Sequence, residues 1–110
     1  MDDVKTDVQE KINKLSTMEH SLQNFLAQKQ AFQAQLMEIT SALEELKTSE
    51  EAYKIIGNVM VRSNKDELTK DLSQKKETAE LRVKSLERQE EKMREKTAAL
   101  QAEVMKEMSS

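Results

Sequence analysis

The chain has 110 residues, of which 35% are charged and only 3% aromatic, with 18 Lys and Arg against 21 Asp and Glu. This net charge of −3 argues against nucleic acid or an anionic membrane as the main partner, because both attract a concentrated basic surface. The absence of cysteine excludes a disulfide framework and a thiolate metal site.

The composition is typical of long helices or coiled coils, since the chain has no proline and one glycine. No apolar run approaches the roughly 20 residues that span a bilayer. The charged start MDDVKTD lacks the apolar region of a signal peptide. We therefore expect a soluble, cytoplasmic protein that does not enter a membrane.

The first predicted element is an N-terminal helix over residues 1–51. Its apolar residues follow a seven-residue repeat, which indicates a coiled-coil seam. Position a holds Val8, Leu15, Leu22, Leu36 and Leu43, and position d holds Val4, Met18, Phe25, Phe32, Ile39 and Leu46. Lys11 and Lys29 interrupt the repeat.

Residues 52–62 predict a tight β-hairpin, because two runs rich in β-branched or aromatic residues flank Gly57-Asn58. Alternation along the strands gives both faces apolar residues. A two-stranded hairpin is marginal alone and leaves unpaired edges. We predict an assembly module that pairs with other chains through Tyr53, Ile55, Ile56, Gly57, Val59, Met60 and Val61. The alternative is a hairpin folded back on its own coiled coil.

The third predicted element is a C-terminal helix over residues 63–110. Ser63 or Asn64 can cap it, and Asp66 and Glu67 follow in capping-box register. Its repeat is weaker, with polar residues at several seam positions. Leu72, Ala79, Leu86, Met93 and Leu100 occupy d, whereas Thr69, Lys76, Val83, Glu90, Thr97 and Val104 occupy a.

The two repeats match as an antiparallel pair. Equal steps outward from Gly57-Asn58 place Leu43 opposite Leu72 and Leu15 opposite Leu100. The predicted fold class is therefore all-α with a small β-hairpin, as a long antiparallel two-helix coiled coil joined by that hairpin.

Three charged residues occupy predicted seam positions, namely Lys29, Lys76 and Glu90. They are either tolerated, with long side chains reaching water, or they fix the register. A loosely packed seam would also let the helices flex. The predicted register puts Lys29 one layer from Glu90, which favours a contact between them.

The seam weakens at the chain ends, where the register sets Lys11 against Val104 and Val8 against Glu107. Exposed apolar groups commonly mark interaction sites, and methionine adapts to many shapes. The predicted interaction patch consists of Val4, Val8, Ile12, Leu100, Val104, Met105 and Met108. The alternative is simple fraying of the termini.

The runs AYKIIGNVMVRSNKDELTKDL and LRVKSLERQEEKMREK resemble the hairpin and second helix of beta-type subunits of the archaeal prefoldin family. The resemblance covers essentially the whole chain, as one domain over residues 1–110. It implies a hexamer of two alpha-type and four beta-type subunits, joined through their hairpins into β-barrels. It also implies that the coiled-coil ends hold unfolded client proteins and pass them to a group II chaperonin without ATP, so the predicted interaction patch becomes the predicted client-binding patch.

The sequence offers no pattern for catalysis or for a cofactor. His20, the only histidine, falls at an outward position, and no phosphate loop or metal-ligand spacing occurs. We therefore expect no enzyme, no cofactor and no metal. Two functions remain, which are a holding chaperone and a structural coiled-coil adaptor that links folded partners.

Overall fold

The computed structural model describes the backbone of residues 2–109 and the side chains of residues 4–109. Helix α1 spans Asp2–Thr48, strands β1 and β2 span Ala52–Ile56 and Val59–Ser63, and helix α2 spans Lys65–Ser109. Two long helices joined by a small antiparallel hairpin confirm the predicted fold class. Within the described residues, neither helix is long and apolar enough to cross a membrane.

Helix α1 ends three residues before the predicted limit of residue 51. The N–H of Ser49 donates to the carbonyl of Glu45 at 3.1 Å, and the Thr48 hydroxyl donates to the same carbonyl at 3.4 Å. These bonds close the last turn. The hairpin in turn is one residue longer than predicted, because Ser63 pairs with Ala52.

Asn64 caps α2. Its side-chain oxygen accepts the backbone N–H of Asp66 at 2.9 Å and that of Glu67 at 3.2 Å, which satisfies two donors that a helix start leaves without partners. Ser63, the other predicted candidate, belongs to β2. The helix therefore begins at Lys65, two residues after the predicted start at residue 63.

The hairpin turn has the predicted centre. Ile56 pairs with Val59, so Gly57 and Asn58 form a two-residue loop. Gly57 has a φ of +61°, and no other described residue has a positive φ. A positive φ at the first central residue alone is the pattern of a type II′ turn, which suits the twist of a hairpin and favours glycine there.

The chain divides into two compact units. The hairpin unit comprises Gln30–Val83, and the terminal unit comprises the residues up to Lys29 together with those from Lys84 onward. In the hairpin unit the buried apolar residues are Ile39, Leu46, Ala52, Ala79 and Val83. In the terminal unit they are Met18, Leu22, Leu86 and Val104.

Burial in both units confirms the heptad assignment. Every a and d position from Val8 to Leu46 in α1, and from Thr69 to Val104 in α2, is buried or half-buried. The polar seam residue Thr97 is buried, and its hydroxyl donates to the carbonyl of Met93 at 2.7 Å. A threonine is tolerated there because the helix itself satisfies its hydroxyl.

Candidate interaction surfaces

The hairpin exposes its apolar residues. Their exposed fractions run from 43% to 69%. The exposed residues are Tyr53, Ile55, Ile56, Val59, Met60 and Val61. The alternative in which the hairpin folds back on its own helices is therefore not observed, because that arrangement would cover one of these faces. Only Ala52, at the start of β1, is buried.

The strand register gives the hairpin two apolar faces. Residues directly opposite in an antiparallel pair lie on the same face. One face carries Lys54, Ile56, Val59 and Val61, and the other carries Tyr53, Ile55, Met60 and Arg62. The sheet has two strands in the described chain, so each strand has one edge without a partner strand. Such edges and faces suit pairing with another chain.

Glu51 accepts hydrogen bonds from the two polar side chains of one hairpin face. The Tyr53 hydroxyl donates to one carboxylate oxygen of Glu51 at 2.7 Å, and the Arg62 guanidinium donates to the other at 3.1 Å. The hydrogen bond to Glu51 raises the pKa of Tyr53. No signal in the sequence predicts this network, because Arg62 meets Glu51 only once β1 and β2 pair. Ile55 and Met60 remain as the apolar centre of this face.

The residues of the predicted client-binding patch differ in their exposure to solvent. Val4, Ile12, Met105 and Met108 are exposed, whereas Val104 is only 7% exposed and lies in the seam. Val8 and Leu100 are half-buried. Val104 therefore packs in the seam below the patch. The four exposed residues are those that another protein can reach.

A cleft of about 380 Å³ brings part of this patch together. It is lined by Val4, Lys5, Val8, Gln9, Glu107 and Met108. Three predicted patch residues, Val4, Val8 and Met108, thus share one concave surface. Ile12 and Met105 are exposed but do not line the cleft.

Lys11, which interrupts the heptad, belongs to an ionic cluster near the chain ends. Its ammonium lies 3.2 Å from Asp7 and 3.6 Å from Glu103, and it donates a hydrogen bond to Glu107. The bonds to Glu107 and Asp7 raise the pKa of Lys11. Within the described residues, no group of three or more His, Cys, Asp or Glu could hold a metal ion. The cluster joins α1 to α2 by ionic contacts at the end of the seam, where the sequence predicted only poor packing.

The predicted contact between Lys29 and Glu90 is confirmed, with an N–O distance of 2.9 Å. Both side chains are largely covered, at 18% and 14% exposed. Arg94 donates two further bonds to the other oxygen of the same carboxylate, from Nε at 3.3 Å and from Nη2 at 3.0 Å. The hydrogen bonds from Lys29 and then Arg94 lower the pKa of Glu90. These three residues form a polar layer in the terminal unit.

We expect Glu90→Gln to lower the unfolding temperature at neutral pH, because Lys29 would keep its charge in a covered position without its counter-ion. The pKa of Glu90 is lower in the folded chain, so its stabilisation is present above its unfolded pKa and is lost as pH falls through the folded value. The difference between variant and wild type should therefore shrink on acidification. Thermal unfolding followed by circular dichroism at several pH values measures this.

Glu91→Gln is the matched control, because Glu91 is exposed and makes no ion pair among the described residues. Equal unfolding temperatures for Glu90→Gln, Glu91→Gln and wild type at neutral pH would show that the polar layer does not stabilise the fold.

Known proteins resemble this chain over nearly its whole length. A family model described as prefoldin subunit matches residues 9–110. The prefoldin subunit beta of Archaeoglobus fulgidus is 38% identical over 104 residues, which cover 92% of this chain and 90% of that protein. The corresponding subunit of Pyrococcus horikoshii is 37% identical over 103 residues, covering 91% of this chain and 88% of the relative.

A solved structure gives the same result in three dimensions. The crystal structure of the prefoldin beta subunit from Thermococcus strain KS-1 is similar to this chain with a TM-score of 0.82 and 35% sequence identity. The match covers 91% of this chain and 90% of that one. With its two heptad helices and its exposed hairpin, the chain belongs to the prefoldin subunit family.

Proposed function

We propose that this chain is a subunit of an ATP-independent holding chaperone of the cytoplasm. It forms a hetero-hexamer with alpha-type prefoldin subunits and further copies of itself, captures unfolded proteins at its coiled-coil ends, and delivers them to a group II chaperonin. The observation that carries the proposal is the hairpin with two exposed apolar faces, in a chain of the prefoldin family.

The exposure of apolar side chains on the hairpin to water favours assembly with other chains. Fully burying a Val, Ile or Met side chain contributes about 1.5–3 kcal/mol relative to leaving it in water. Ile55 and Met60 on one face, and Ile56, Val59 and Val61 on the other, gain this only in contact with another chain. Strand pairing at the two edges would add main-chain hydrogen bonds.

Client capture rests on the exposed apolar side chains near the chain ends. Met105 and Met108 carry flexible, polarizable side chains that fit surfaces of many shapes. Each contact is weak, but several subunits joined in one particle bind one client together, so the affinities reinforce one another.

A holding assay tests the proposal. A chemically unfolded protein is diluted into buffer without nucleotide, with and without the complex that co-purifies with this chain, and aggregation is followed by light scattering. We expect suppressed aggregation at near-stoichiometric complex, for several unrelated unfolded proteins and without binding of their native forms. Unaltered aggregation across all of them would contradict the proposal and favour the structural adaptor.

A further inference from the structure

The methionines of the chain differ in their access to solvent. The structure describes the side chains of all of the seven methionines except Met1. Met18 is buried in the seam and Met93 is half-buried there. The exposed ones are Met37, Met60, Met105 and Met108. A small reagent that reacts with thioethers can therefore reach some of these side chains and not others.

Met105 and Met108 belong to the predicted client-binding patch. They lie three residues apart on α2, so they are neighbours on one side of the helix. Met108 also lines the cleft with Val4 and Val8. Neither methionine lies in the seam, where Val104 is the buried residue beside them. A chemical change in these two side chains therefore alters the surface of the patch without altering the packing of the helices.

A methionine thioether is oxidised by peroxides at its sulfur. A lone pair of the sulfur attacks one oxygen of hydrogen peroxide and the O–O bond breaks. The transferred oxygen stays on the sulfur, and its hydrogen passes to the departing hydroxide to give water. The product is methionine sulfoxide, a polar and chiral side chain. Methionine sulfoxide reductases convert it back to the thioether, so the change is reversible.

We propose that Met105 and Met108 are sites of reversible oxidation by peroxide, and that their oxidation switches off client capture. This inference rests on the proposed function, because it concerns the regulation of the same patch. The side chains are 71% and 69% exposed, which leaves both sulfurs open to a small oxidant. A sulfoxide replaces a flexible apolar contact by a polar group that binds water, so each contact with an unfolded protein becomes weaker.

The rest of the molecule is expected to withstand the same treatment. Met18 and Met93 are covered in the seam, where a sulfoxide would disrupt packing. Met60 lies on a hairpin face that the proposed assembly covers. Met37 is exposed, but it lies outside the hairpin and outside the patch. Mild oxidation of the assembled complex should therefore remove holding and leave its mass and helical content unchanged.

Peroxide treatment of the complex that co-purifies with this chain tests the proposal. After catalase has removed the excess peroxide, peptide mass spectrometry locates the sulfoxides and light scattering measures holding. We expect sulfoxides at Met105 and Met108, and a rise of about tenfold in the complex concentration that halves aggregation, because weaker contacts are multiplied over several subunits. Holding that stays at its original level with both residues fully oxidised would overturn the proposal.

Substitutions in this chain show which methionines carry the effect. Met105→Leu/Met108→Leu keeps apolar side chains of similar volume that peroxide does not oxidise, so its complex should hold clients before and after treatment. Met37→Leu is the matched control, because Met37 is 73% exposed, and its complex should lose holding as wild type does. Equal losses in the two variants would overturn the assignment to Met105 and Met108.

A polar substitution tests the same point without an oxidant. Met105→Gln/Met108→Gln replaces each thioether by a polar side chain of similar length, and its untreated complex should hold as poorly as oxidised wild type. Full holding by this variant would contradict the proposal, because polarity at both positions would then be harmless.

Repair of the sulfoxides completes the test. Methionine sulfoxide reductases of both stereospecificities, supplied with a dithiol, should restore holding to the oxidised wild-type complex. Holding that stays lost after mass spectrometry shows the thioethers restored would overturn the switch. An untreated complex that never suppresses aggregation would overturn both the proposed function and this inference, whereas equal holding before and after complete oxidation would overturn the inference alone.

Discussion

The variant Ile55→Asp/Val59→Asp is expected to sediment as single chains of 12.7 kDa while the wild type forms a larger particle. Ile55 and Val59 lie on opposite faces of the hairpin, so the variant places one carboxylate on each. A charge that is buried without a partner costs about 3–5 kcal/mol. Since about 1.4 kcal/mol changes affinity tenfold, two such charges should remove assembly at micromolar concentration.

The single variants separate the two faces. If both faces are buried in the assembly, Ile55→Asp and Val59→Asp should each weaken it. If only one face is buried, the variant with its charge on the other face should assemble as the wild type does. Asn58→Asp is the matched control, because it adds the same charge in the turn, outside both faces. An unchanged particle mass for the double variant, with helical content retained, would refute assembly through the hairpin.

The second large effect is expected near the chain ends. Ile12→Ser/Met105→Ser/Met108→Ser should reduce suppression of aggregation to near background and leave the mass of the complex unchanged. The three side chains are exposed and make up most of the reachable apolar surface of the predicted patch. Val104 is left intact because it is buried in the seam, where serine would destabilise the fold instead of testing a contact.

A matched control uses three apolar residues that lie outside both proposed surfaces. Leu26, Met37 and Leu81 are 39%, 73% and 59% exposed, close to the 40%, 71% and 69% of Ile12, Met105 and Met108. Their replacement by serine costs a similar amount of helix propensity. Suppression of aggregation should therefore survive in Leu26→Ser/Met37→Ser/Leu81→Ser. Equal loss in both triple variants would mean that capture does not depend on the chain ends, and undiminished holding by the first would disprove the predicted patch.

The helices and the hairpin were predictable because their signals are local and periodic. The heptad predicted the seam position by position, and a two-residue turn with glycine predicted the strand pairing that is observed. The contact between Lys29 and Glu90 was also predictable, since the register of the helices follows from the centre of the hairpin. Even the helix cap was narrowed to Ser63 or Asn64, and hydrogen bonding selects Asn64.

The features that sequence reasoning missed depend on side chains that meet across elements. Glu51 was unremarkable until β1 and β2 brought Tyr53 and Arg62 beside it. Lys11 interrupts the repeat, and periodicity does not reveal its three carboxylate partners, because they come from two distant parts of the chain. Periodicity identifies which positions are covered, but it does not identify the ionic partners of a polar residue among them.

The single residue between β2 and α2 limits the insertions that the chain tolerates near this point. Asn64 is the only residue between β2 and α2. The strand therefore fixes the rotation of the helix about its axis, and with it the residues that face the seam. An α-helix turns by about 100° per residue. One residue inserted into α2 between this link and Leu72 would therefore turn Leu72 and Ala79 away from the seam, while seven residues added to each helix farther along would keep the later seam positions on it. Homologues in this family should thus vary in helix length by whole heptads but keep the length of this link.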